Sequence, residues 1–88
     1  MPKKNETVRK SVVLDEKEYL QKLGTRVKSL RLAAGYTNYD FFAYDHNISR
    51  TQWGRYENGQ DLRYTSLLKV VGAFGMTLEE FFSEGFED

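Results

Sequence analysis

The stretch from Gly35 to Gly59, GYTNYDFFAYDHNISRTQWGRYENG, decides the fold. It reads as two short helices joined by a tight turn, with a glycine closing each end. Ser49 followed by Gln52 is an S-x-x-Q capping pattern, so a helix starts at Arg50 and ends before Asn58-Gly59. Thr37 or Asn38 caps the helix before it, residues 38–46, whose buried side is Phe41, Phe42 and Ala43. Asn47 sits in the turn, where the left-handed conformation favours Asn or Gly. Trp53 and Tyr56 share a face with Ile48 and are predicted to point inward; Arg50, Thr51, Gly54, Arg55 and Asn58 take the opposite side.

Helical spacing continues on both sides. Asp15 and Glu18 open a first helix over residues 16–34, in which Leu20, Leu23, Val27, Leu30 and Ala34 recur on one face and Gly35 ends the run. Gly24 inside it costs about 1 kcal/mol relative to alanine, which points to a close approach or an irregular turn. A fourth helix, residues 62–74, carries Leu67, Leu68, Val70, Val71 and Phe74 and ends at Gly75; Thr77 and Glu80 cap a short fifth with Leu78, Phe81 and Phe82. The whole is predicted to be a compact five-helix all-α globule. Residues 1–14 form a flexible basic arm, 15–82 the helical domain and 83–88 an acidic tail. Val12, Val13 and Leu14 end the arm in an apolar run that packs on the domain, pairs as a strand across a dimer, or has no role.

Composition narrows the function. A chain of 88 residues supports one small core, and its hydrophobic share of 40% with six Tyr, six Phe and Trp53 supplies it. There is no cysteine for a disulfide or thiolate site and one histidine, His46, too few for a metal site. With no phosphate-cradling glycine loop and no carboxylate pair outside a helix N-terminus, an enzyme is not expected, and no cofactor is implied. No apolar run is long enough to span a membrane and no signal peptide is visible, so a cytoplasmic protein is expected. Net charge is zero, yet unevenly spread. Residues 20–64 hold Lys22, Arg26, Lys28, Arg31, Arg50, Arg55 and Arg63, whereas beyond Thr65 Lys69 stands alone against Glu79, Glu80, Glu84, Glu87 and Asp88. Such asymmetry fits one face for an anionic partner, or else an ordinary mixed surface.

The outer face of the third helix fits DNA chemistry. Arginine offers paired donors to guanine in the major groove, and threonine a hydroxyl and a methyl. The open N–H groups at the helix start favour phosphate. A solvated face with two arginines is the plain alternative, but the surrounding sequence favours the first reading.

From about Leu23 to Phe82 the chain resembles the lambda-repressor/Cro-type helix-turn-helix family of bacterial and phage regulators. The segments that carry the likeness are Leu23-Gly24 with Arg26-Val27-Lys28-Ser29-Leu30-Arg31, Ala43, Ile48-Ser49-Arg50, Arg55-Tyr56-Glu57-Asn58-Gly59, Leu67-Leu68-Lys69-Val70 and Gly75 to Phe82. The resemblance implies a recognition helix at about 50–57, with Arg50, Thr51 and Arg55 on base edges. It implies phosphate contacts from Asn38, Tyr39, Ser49, Gln52 and Asn58, and a structural ion pair between Arg31 and Glu57 that belongs to the scaffold. The chain departs from the family where Asn38-Tyr39 replaces a glutamine opening helix 2, where Asn47 replaces the turn glycine, and where Trp53 replaces a β-branched aliphatic residue.

The expected function is therefore a sequence-specific regulator of transcription on double-stranded DNA, a homodimer on a two-fold symmetric operator. Phe81, Phe82 and Phe86, or the N-terminal arm, are the candidate dimer contacts, with core closure the alternative for Phe81 and Phe82. The rival reading is a protein-interaction module that keeps the fold, such as an accessory or antitoxin-like subunit, favoured by zero net charge and the acidic tail.

Overall fold

The computed structural model describes residues 9–87. Residues 1–8 of the expected arm and Asp88 of the expected tail lie outside the described residues. Five helices follow one another: α1 (Glu16–Ala33), α2 (Tyr39–Asp45), α3 (Arg50–Glu57), α4 (Tyr64–Ala73) and α5 (Leu78–Phe82). There is no strand among the described residues. Among them, too, no helix is long and apolar enough to cross a membrane.

Local chemistry sets the helix ends. Asp15, Asn38, Ser49 and Thr77 each accept a first-turn backbone N–H at the start of their helix. Thr77 and Glu80 complete a reciprocal capping box. At Ser49 the hydroxyl accepts Gln52 N–H at 3.4 Å, which is one half of the expected pair. Helices α1 to α4 close alike: the N–H two residues past the cap reaches back to the third-last helical carbonyl, in Tyr36→Arg31, Ile48→Ala43, Gln60→Arg55 and Met76→Val71. This ending needs a left-handed residue after the cap, and on α2 that residue is Asn47 at φ 59. Helix α4 starts at Tyr64, two residues later than the spacing predicts. Asp61 Oδ1 takes the Leu62 N–H at 2.8 Å, and Arg63 is extended, so the chain is still in a turn there.

The core is built on rings. Phe42 and Trp53 are fully buried with centroids 4.8 Å apart, and Tyr36, His46 and Phe74 ring Phe42 at 4.1–5.1 Å. Val27, Val70 and Phe81 close the interior from α1, α4 and α5. Several expected core positions face outward instead. Phe41 is 66% exposed, and Leu68 and Ala34 are also exposed. In α2, two turns long, Phe42 and Ala43 take the inward side and their neighbour is carried round to solvent.

Helix α1 braces α3 from behind. A Cβ on Gly24 would lie 2.6 Å from the Glu57 carbonyl oxygen and 2.8 Å from that of Tyr56, so only glycine permits this crossing. Arg26, read from sequence as part of a basic surface, is buried. Its guanidinium donates to the carbonyl oxygens of Phe81 at 2.8 Å and Glu80 at 3.1 Å, tying α1 to the end of α5. No buried side-chain polar atom among the described residues lacks a partner.

Candidate nucleic-acid interface

Trp53 and Tyr56 anchor α3 inward, which turns Arg50, Thr51, Gln52, Arg55 and Asn58 to solvent. Behind them sits the ion pair expected between α1 and α3. Arg31 Nε donates to Glu57 Oε2 at 2.7 Å and Nη2 to Oε1 at 3.0 Å, a two-pronged contact with both side chains almost wholly buried. Arg31 Nη1 donates to the Tyr36 carbonyl at 2.7 Å, and the Trp53 indole N–H donates to Glu57 Oε2 at 2.7 Å. The hydrogen bonds to Glu57 raise the Arg31 pKa above its usual value against the opposing effect of burial, so the guanidinium stays charged. These contacts fix the pitch of α3 against α1 and belong to the scaffold.

In front, Tyr39, Asp40, Arg50, Thr51, Gly54, Arg55 and Asn58 line one open depression. The α2 start and the α3 face thus form a continuous surface. Most of the residues expected to meet DNA come together here. Gln52 falls on the other flank of Arg55, in a second depression with Gln60, Asp61, Arg63 and Ser66. Arg55 stands on the ridge between the two. Gln60, past the end of α3, carries no sequence pattern that marks it, and Arg63 entered only through the basic stretch of residues 20–64.

Tyr39 and Gly54 explain one another. A Cβ on Gly54 would lie 2.8 Å from the Tyr39 phenol oxygen, and the Arg31 guanidinium lies 5.9 Å from the Tyr39 ring centre on its face. Gly54, expected on the outward side of α3, is buried. Its close neighbour is the chain's own tyrosine, wedged between the α2 start and α3. Asn38 and Ser49 spend a side-chain oxygen on capping, with Asp40 N–H at 2.8 Å from Asn38 Oδ1.

The cations of residues 20–64 sort into three groups. Arg26 and Arg31 are internal. Lys22 meets Glu18 at 3.3 Å and the Glu87 carbonyl at 3.0 Å, and Arg50 meets Asp40 at 3.3 Å. Lys28, Arg55 and Arg63 are exposed and make no ion pair among the described residues. Asp40 is the neighbour the sequence reading did not give to Arg50. Its position in the first turn of α2 suits the helix dipole, and the turn then brings it beside α3. Among the described residues no group of three or more His, Cys, Asp or Glu side chains is placed to hold a metal ion. No family model, characterised protein or solved structure matches this chain.

Proposed function

We propose that this chain is a sequence-specific double-stranded DNA-binding regulator of the lambda-repressor type, acting as a cytoplasmic homodimer on a two-fold symmetric site, with no cofactor and no catalytic role. The observation that carries the reading is the outward face of α3. It presents Arg50, Thr51 and Arg55 on a short helix whose back is locked by Trp53, Glu57 and Arg31. A rigid helix with bidentate donors on its free face suits readout of base edges in the major groove. The open first-turn N–H groups of α3, with Tyr39 and Asn58 in the same depression, supply phosphate chemistry beside it. The α2–turn–α3 unit is then a helix-turn-helix, with α3 as the recognition helix. Selection from genomic fragments followed by footprinting at low and moderate salt tests this; if no sequence is enriched, specific regulation is wrong.

One observation favours the second reading, a protein-interaction module. Phe41 and Tyr44 are 66% and 84% exposed and line an apolar groove with Ile48 on the outer side of α2. Rings so placed suit a protein partner. Retention of a partner by chains carrying Arg55→Ala, with loss on Tyr44→Ala, would support that reading.

A further inference from the structure

Among the described residues two apolar features stand open to solvent at the same end of the molecule. The first is the arm, residues 9–15, which runs without helix or strand and leaves Val12, Val13 and Leu14 at 75%, 99% and 61% exposure. The second is a groove floored by Leu20 and Leu23 of α1 and walled by Phe82 and Phe86, with Phe82 still 43% exposed. Their charges are opposite. The arm carries Arg9 and Lys10 ahead of the apolar run, whereas Glu16 and Asp61 border the groove.

We infer that the arm of one copy seats Val12 to Leu14 in the Phe82–Phe86 groove of a second copy, with Arg9 and Lys10 against its carboxylates, in a reciprocal two-fold exchange. Among the described residues the chain's own arm leaves its own groove open. Asp15 caps α1 in an extended conformation, and Val13 stays in solvent while the groove lies open beside it. A second copy brings the same two halves in reverse, so every contact is made twice about one axis. The distances are short. Glu16, where the arm leaves α1, is itself a groove residue, so arm and groove lie side by side. Val12, four residues before Glu16, reaches at most about 14 Å from it, enough to enter a groove set directly against its own across a two-fold axis. The exchange merges the two candidate dimer contacts, arm and C-terminal aromatics, into one. It involves none of Arg50, Thr51 and Arg55, so it supplies the dimer of the proposed regulator without depending on DNA binding.

The chain contains no cysteine, which allows a direct test. Val12→Cys, Val13→Cys and Leu14→Cys chains are each combined with Phe82→Cys, as a mixture of two single variants and as a double variant, and oxidised without DNA. The expected result is a disulfide-linked heterodimer in at least one mixture and covalent dimers from the corresponding double variant, with Tyr44→Cys giving none with any arm position. Sedimentation of the unmodified chain is expected to show a dimer that Val13→Asp weakens at least about tenfold, since a charge buried in an apolar contact costs more than about 1.4 kcal/mol. Raised salt weakens it further. An intrachain disulfide in the double variant, arm-to-arm linkage alone, or a monomer at all concentrations would overturn the proposal. Circular dichroism unchanged by Val13→Asp separates dissociation from unfolding. A dimer that enriches no DNA sequence would end the DNA reading and leave this one standing.

Discussion

Trp53 and Arg31 meet on a single atom. Oε2 of Glu57 receives the indole N–H and the guanidinium Nε, each at 2.7 Å, so one carboxylate on α3 orients both a core ring and an α1 cation. Arg31→Ala strands that carboxylate in a buried site and is expected to cost about 3–5 kcal/mol in urea unfolding. A domain of this size has only about 5–15 kcal/mol in all, so the variant should be close to unfolding at physiological temperature. The double variant Arg31→Ala, Glu57→Ala should lose clearly less than the sum of the singles, because no lone charge remains. Additive losses would mean that the two residues act independently.

Two glycines inside helices should respond in opposite directions. Gly24→Ala places a methyl 2.6 Å from a backbone oxygen, which cannot yield as a flexible side chain would. Its helix-propensity gain of about 1 kcal/mol is overridden, for a net loss of about 1–3 kcal/mol. Gly72→Ala in α4 meets nothing within 4 Å and should stabilise by about 0.5–1 kcal/mol. Thermal melts of the two proteins side by side check the pair.

Arg55, free and on the ridge of α3, should carry sequence discrimination. Arg55→Ala is expected to cost about 1–3 kcal/mol and relax preference at one position of the selected site. An equal loss on every sequence would make it a phosphate contact.

Asp40 restrains Arg50, both groups being well exposed, and such pairs contribute only about 0–1 kcal/mol. Asp40→Asn should leave stability nearly unchanged. It should raise DNA affinity by up to about fivefold and steepen its salt dependence by about one charge. Unchanged affinity and slope would place Arg50 away from the nucleic acid.

Tyr36 donates its phenol proton to Asp45 Oδ2 at 2.7 Å, and that hydrogen bond, aided by burial and by the carboxylate's charge, lifts its pKa above the ordinary 10.0. The folded value exceeds the unfolded one, so the contribution of this contact to stability is whole below pH 10.0 and is lost as pH climbs through the raised value. Phenolate absorbance should show Tyr36 ionising late, and Asp45→Asn should remove the lag. A Tyr36→Phe chain identifies the missing step.

Capping residues and closing glycines are local signals, which is why the helix ends read so well from sequence. Asp15, Ser49, Thr77, Asn47, Gly35, Gly59 and Gly75 needed no tertiary knowledge. Paired aromatics were harder. In Phe41-Phe42 and Phe81-Phe82 the residue types are identical, and only packing decides that the second of the first pair and the first of the second pair are buried. Arg26 was illegible for a different reason. Its partners are backbone carbonyls more than fifty residues away, which no spacing along the chain announces. The outward placement of Arg50, Thr51, Arg55 and Asn58 followed from helical period alone, whereas the burial of Gly54 under Tyr39 and the Asp40 neighbour of Arg50 depend on how α2 lands on α3.

The internal placement of Arg26 and Arg31 alters the charge a partner meets. The formal balance is zero, but among the described residues two arginines and one carboxylate, Glu57, are withdrawn from the outside. The solvent-facing shell is left with a slight surplus of negative charge. Long-range attraction to a polyanion is then feeble, and random duplex should hold this protein poorly. For the proposed regulator, residence on DNA would then rest on the fit of α3 in each half-site rather than on bulk attraction.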